Sequence, residues 1–186
     1  MNGKKWIGKG KEYDSDGKFE FEGEYLNGEK NGIGKEYFDD KLIFEGIYLK
    51  GKRWNGKGKE YNYSILKLKY EGEYLNGKWN GKGKEFYYYN GKLIFEGEYL
   101  NGKRWNGKGY NKEGKKDFEI NEGNGNVKEY NDYDELEYEG EYLNGERNGK
   151  GKEYNKYDQL IFEGEYLNGK RWNGKYITKK VALNLK

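Results

Sequence analysis

The chain contains no Cys and no His. Thiolate chemistry, imidazole acid–base catalysis and the two commonest zinc ligand types are therefore absent from it. The aliphatic hydroxyls are Ser15, Ser64 and Thr178, and none has a His to act as its base. Carboxylate pairs such as Glu96 and Glu98 have the chemistry for acid–base work on a glycoside. Equivalent pairs recur along most of the chain, however, as a surface pattern does and a single active site does not. Gly-x-Gly recurs too, as Gly81-Lys82-Gly83, but inside a strand pattern and without a helix to follow, so it is no phosphate loop. The residues left for function are recognition residues. Arg53-Trp54, Arg104-Trp105 and Arg171-Trp172 lie in turn patterns, as does Trp79. Trp and Arg are enriched at binding hot spots. The sequence thus predicts a binding protein and no enzyme, with no metal or cofactor.

The elements that position these residues are short and repeated. Tyr70-Glu71-Gly72-Glu73-Tyr74 alternates with the period of a half-buried strand, Asn76-Gly77 marks a hairpin turn, and Gly81 to Phe86 reads as the returning strand. Equivalent first strands begin at Phe19, Leu42, Leu93, Leu136 and Leu160. Equivalent rings, from Phe21 to Phe44, Tyr70 and Phe95, are spaced by 23, 26 and 25 residues. Insertions such as Tyr63-Ser64-Ile65-Leu66 fall before a first strand and so lengthen loops. Gly28 to Gly32 is one residue shorter than Gly51 to Gly56, and the longer turns carry the Arg-Trp pairs.

This predicts a repeat array over 1–175, with a shortened unit around 111–130, where Phe118-Glu119-Ile120 runs almost directly into Gly123-Asn124-Gly125. Residues 176–186 read as a capping segment or tail, since Val181, Leu183 and Leu185 alternate.

Alternation puts Phe19, Phe21, Gly23 and Tyr25 on one face of a first strand, then Leu42, Phe44, Gly46 and Tyr48, with Glu20, Glu22 and Glu24 opposite. Glycine on the ring-bearing face gives room for rings of adjoining strands. Glutamate strands beside lysine strands give cross-strand charge pairs on the other face. Strict alternation places Tyr37 with the lysines, and a bulge after Gly34 would swing it to the rings. Rings burying about 1.5–3 kcal/mol each outweigh the charge pairs.

Charged residues make up 37% of the chain, yet the net charge is only +3 with the signs interleaved. That excludes the basic stripe of a nucleic-acid binder. Aromatics at 18%, set at fixed positions, argue against disorder. No apolar segment follows Met1, and no run approaches the roughly 18 residues of a membrane span. A cytoplasmic, soluble protein is the expectation, with membrane association as the variant.

The pattern resembles the MORN (membrane occupation and recognition nexus) repeat family: aromatic-x-Gly-x-aromatic, a turn with Gly, then Gly-x-Gly. The family often has His before the first Gly of that pair, where this chain has Asn31, Asn55, Asn80, Asn106, Asn148 and Asn173. The resemblance implies an all-β fold: an elongated single-layer twisted antiparallel sheet of consecutive β-hairpins with a groove along one face. It implies a scaffold that binds a protein or peptide along an aromatic groove. The binding residues expected are Tyr48, Tyr74, Tyr99 and Tyr166 with Trp54, Trp79, Trp105, Trp172, Arg53, Arg104 and Arg171. Peripheral binding to anionic phospholipid is the alternative. An antitoxin-like role, which the Lys-Gly-Lys-Glu-rich repeats resemble, and sugar stacking are further ones. Open strand edges at the ends also predict a homodimer through them.

Overall fold

The computed structural model describes residues 7–62, 66–87, 89–131, 133 and 135–177. Met1 to Trp6, Tyr63 to Ile65 and the alternating Val181, Leu183 and Leu185 lie outside them. Among the described residues every regular element is a strand. The chain divides into two compact units, Met1–Lys103 and Arg104–Lys186.

The first unit holds β1 (Ile7–Tyr13), β2 (Phe19–Leu26), β3 (Glu29–Phe38), β4 (Lys41–Leu49), β5 (Lys52–Asn62), β6 (Lys67–Leu75), β7 (Lys78–Phe86) and β8 (Leu93–Leu100). Each pairs antiparallel with the next in chain order, forming an open sheet. In the second unit β9 (Lys103–Tyr110) pairs with β10 (Lys116–Ile120). There β11 (Gly125–Tyr130), β12 (Leu136–Leu143), β13 (Glu146–Tyr154), β14 (Leu160–Leu167) and β15 (Lys170–Tyr176) form a second sequential sheet.

The turns follow from their residues. Asn27-Gly28 and Asn76-Gly77 both have two consecutive positive φ angles, 52° and 85° in one and 53° and 73° in the other, as a two-residue hairpin turn requires. Between β10 and β11 the chain turns at Glu122-Gly123, and Asn121 bridges Asn124. Successive turns are also tied to one another. Gly77 N–H donates to the Trp54 carbonyl at 2.8 Å and Gly102 N–H to the Trp79 carbonyl at 2.8 Å. In the second unit Gly123 N–H donates to the Trp105 carbonyl at 2.7 Å, and Gly145 N–H to the Gly123 carbonyl at 2.8 Å. The shortened unit therefore keeps its place in the turn ladder.

The core of each sheet is a row of rings laid on glycine backbone. Phe21, Phe44, Tyr70, Phe95, Tyr138 and Phe162 are all buried. A methyl built on Gly34 would meet the Phe21 ring at 2.6 Å, and one on Gly58 the Phe44 ring at 2.6 Å. Glycine is thus required by close approach, since no side chain fits between ring and strand. The tyrosines of the first strands close the sides. Phe44 meets Tyr48 and Tyr74 edge-on at 5.2 and 5.6 Å, and Tyr70 meets Tyr74 and Tyr99 edge-on at 5.8 and 5.4 Å. Edge-to-face contacts add about 0.5–1.5 kcal/mol to the area term.

One row departs from strict alternation. Glu36 lies opposite Phe44, but Tyr37 lies opposite Leu42, so Ile43 is an extra residue in β4. Glu20, Lys69, Ile94, Glu137 and Ile161 are skipped in the same way. The bulge moves Phe19, Leu42 and Leu68 off the ring face. Phe19 packs 4.8 Å from Tyr37, whose hydroxyl donates to Glu22 on the charged face. The open question over Tyr37 closes in favour of the lysine face, because the bulge falls in the facing strand.

The ring-on-glycine contact generates a mutational prediction. Gly83→Ala places a methyl 2.7 Å from Tyr70 Cε2 and is expected to cost about 1–3 kcal/mol. Lys84→Ala on the exposed face is expected to stay within about 0.5 kcal/mol. Urea denaturation of both variants checks the difference.

Candidate interaction surface

The ring-bearing face has a lid, made by the residue that lies opposite the first-strand tyrosine across each hairpin. Tyr25 faces Lys30, Tyr48 faces Arg53, Tyr74 faces Trp79, Tyr142 faces Arg147 and Tyr166 faces Arg171. Each lid residue covers the buried ring of its own hairpin. Lys30 Nζ stands 4.2 Å over Phe21, the Arg53 guanidinium 5.1 Å over Phe44, Arg147 4.3 Å over Tyr138 and Arg171 4.8 Å over Phe162. Trp79 stacks on Tyr70 at 4.0 Å with the planes 4° apart. A cation over a ring contributes about 0.5–2 kcal/mol, according to how far it is desolvated.

A glutamate of the preceding strand ties lid to tyrosine. Glu36 accepts from Tyr48 Oη at 2.7 Å and from Arg53 Nε at 2.8 Å. Glu60 accepts from Tyr74 Oη at 2.8 Å and Trp79 Nε1 at 2.9 Å. Glu129 accepts from Tyr142 and from Arg147 at 2.7 Å, and Glu153 from Tyr166 at 2.7 Å and from Arg171. Burial, reinforced by these carboxylates, pushes the Tyr48, Tyr74 and Tyr142 hydroxyls far above their ordinary range. Burial alone would raise Glu153, but hydrogen bonds from Arg171 and Tyr166 hold it below the usual carboxylate range. On the charged face Tyr154 is pushed up to about 12, first by burial and then by its bond to Glu139.

The expected binding residues therefore divide. Tyr48, Tyr74, Tyr99 and Tyr166 are buried, so they line no open groove. Arg53 and Arg171 are lids, and Arg104 is half-buried on β9. Trp79 belongs with these arginines and not with the other tryptophans, because its turn is the shorter kind. Trp54 and Trp105 are the extra residues of longer turns, half-buried against Gly77 and Gly123 of the next turn. Trp172 is 71% exposed. Sequence reasoning missed Lys30, Arg147 and the glutamates. Once Lys35 and Tyr37 share a face, Glu36 must point to the rings, and that signal was available. The asparagines before Gly-x-Gly also have work. Asn55 and Asn80 accept the N–H of Asn76 and Asn101 of the following turn at 2.8 and 3.1 Å.

Open space lies on the opposite face. In the second unit a groove of about 620 Å³ runs over the backbone of Gly140, Gly151 and Gly164, walled by Lys128, Glu139, Lys150, Lys152 and Glu163. Lys152 Nζ lies 3.9 Å from Glu139 and 4.0 Å from Glu163. A smaller groove of about 440 Å³ in the first unit runs over Gly10, Gly23 and Gly34 beside Ile33. Among the described residues no group of acidic side chains is placed to hold a metal ion.

Tandem antiparallel hairpins in open sheets, with rings sealed on glycine and a mixed-charge reverse face, define an all-β repeat protein. It carries MORN repeats: the model of that family matches residues 21–42, 70–91 and 138–158. All three matches begin at a buried ring and span a shorter turn, whereas the longer turns of the hairpins β4–β5 and β14–β15 fall outside them. The extra residue, Trp54 or Trp172, breaks the fixed spacing while leaving the tyrosine–lid pairing intact. No curated protein matches the chain.

The lid geometry sets a pH dependence. Tyrosines whose folded pKa is raised hold their proton more tightly when folded, so their contribution is complete below the ordinary value of 10.0 and is lost as pH rises above it. Glu12 and Glu153, lowered from 4.5, contribute above that value and lose it as pH falls further. Melting temperature is expected to be flat between these limits and to drop on both sides. The alkaline drop should coincide with a cooperative rise in tyrosinate absorbance. Gradual ionisation of the whole tyrosine set in a chain that stays folded would contradict the lid.

Proposed function

We propose that the chain is a non-enzymatic scaffold and that its glutamate–lysine face, in the groove of the second unit, takes an extended segment of a partner protein. One observation supports this most. The ring face is closed by the chain's own side chains, while the reverse face offers a groove floored by glycine backbone and walled by both signs of charge. Such a groove suits a strand-like segment with alternating acidic and basic side chains and a small apolar residue over the glycines. The lysines there stand beside glutamates at about the same height, which leaves little net attraction for an anionic bilayer.

Affinity capture from the native cell with wild type and with Lys150→Glu/Lys152→Glu tests the reading. Both lysines are on the exposed wall, so the fold is expected to survive; the reversal sets like charges opposite Glu139, Glu163 and Glu165, so a lowered melting temperature is expected and circular dichroism of the variant checks that it is folded at the temperature of capture. A partner recovered by wild type and depleted at least tenfold by the charge reversal is the expected result. Equal recovery by both proteins removes the groove as the site. Liposome co-sedimentation at low and high salt runs in parallel: salt-sensitive pelleting with anionic vesicles would favour lipid over protein.

A further inference from the structure

Along the charged face of the first unit, the middle residue of Gly-x-Gly is a lysine with a glutamate opposite it on the next first strand or the one before. Lys9 faces Glu24, Lys57 faces Glu73 and Lys82 faces Glu98. Between β3 and β4 the same place is held by Ile33 and Ile47, directly opposite one another. They are 65% and 44% exposed, so two apolar side chains stand together in water amid ion pairs. Both members of the pair are changed, and neither gains burial within the chain. The two side chains adjoin, so they form one apolar patch on a face that is otherwise charged, and a contiguous patch is what distinguishes an interaction site from singly exposed apolar residues.

We infer that this face of the first unit packs against the same face of a second copy, about a two-fold axis running parallel to the strands between β3 and β4. The column pattern selects that occupant. From β1 to β6 the charges on this face alternate by strand: Lys11, Glu22, Lys35, Glu45, Lys57, Glu73. An axis lying between β3 and β4 places β3 of one copy over β4 of the other, and β2 over β5. Ile33 then meets the second copy's Ile47, Lys35 its Glu45, and Glu22 its Lys57. Every column meets its opposite, because a two-fold placed between a basic and an acidic strand is self-complementary. An isologous contact of this kind needs a patch that complements itself, and this one does. Face-packed sheets lie about 10 Å apart and turn about 30° against each other, so the match holds for the inner columns around the isoleucines. The apolar centre with a charged rim has the layout of a small specific interface.

The inference is separate from the groove of the second unit and does not depend on it. The test uses the full chain in sedimentation equilibrium over a concentration series up to about 1 mM. Wild type is expected to shift from the mass of one chain toward that of two. Ile33→Lys/Ile47→Lys changes two exposed side chains and sets lysine over lysine across the two-fold, so it keeps the fold and is expected to remain at the mass of one chain throughout. Circular dichroism and melting of that variant, unchanged from wild type, exclude unfolding as the cause. As a second probe, Ile33→Ser/Ile47→Ser carries no new charge and is expected to weaken self-association at least tenfold. A wild type that stays monomeric over the whole series overturns the inference. So does a dimer that survives both double variants undiminished, since it would be held elsewhere, as at the strand edges.

Discussion

A single sheet has no second layer to press against its apolar side chains. A ring standing upright on such a sheet would keep most of its surface in water, so the ring must lie flat. A flat ring needs strand backbone with no side chain beneath it. That steric requirement ties Phe21 to Gly34, Phe44 to Gly58 and Tyr138 to Gly151. Tyrosine edges then close the flanks and a cation or indole closes the top. Each hairpin thereby carries a private core one ring thick, completed by the tyrosine of the next hairpin.

The glutamate that joins tyrosine to lid explains why such a polar chain can make this core specific. Glu36, Glu60, Glu129 and Glu153 each accept from a tyrosine hydroxyl of the following first strand and from the cation or indole beyond it. At these four sites the ring face buries polar groups that are paired, which is the condition for burying them without a large cost. Its consequence for function is that the aromatic rows are consumed by folding. On the reverse face the same glycines expose bare backbone between rows of charge.

Much of the architecture was legible from short-range chemistry. Asn27-Gly28 and Asn76-Gly77 dictate their turns, the period-two pattern dictates the strands, and Gly-x-Gly foretells rings on backbone. The bulges at Glu20 and Ile43 were not legible, because a two-against-one pairing leaves a strand's own alternation unchanged and shows only against its partner. They moved Phe19 and Leu42 to the other face. Trp79 was grouped with Trp54 by residue type, whereas turn length sets its place and puts it with Arg53. Exposure of the tyrosines was misjudged for a physical reason: alternation shows which residues share a face, but not that Arg53 folds back over Phe44. The Ile33–Ile47 pair is visible in sequence as two departures from the repeat. Only the register shows that they meet.

The central claim is that ring and glycine are one unit, and a double-mutant cycle on Phe21 and Gly34 measures it, because a methyl on Gly34 meets the outer ring atoms Cζ and Cε2 of Phe21. Gly34→Ala is expected to cost about 1–3 kcal/mol in wild type and much less in a Phe21→Leu background, giving a coupling of about 1 kcal/mol or more by equilibrium denaturation. Additive effects, agreeing within about 0.5 kcal/mol, would show that the methyl and the ring do not compete for the same space, and would contradict the account.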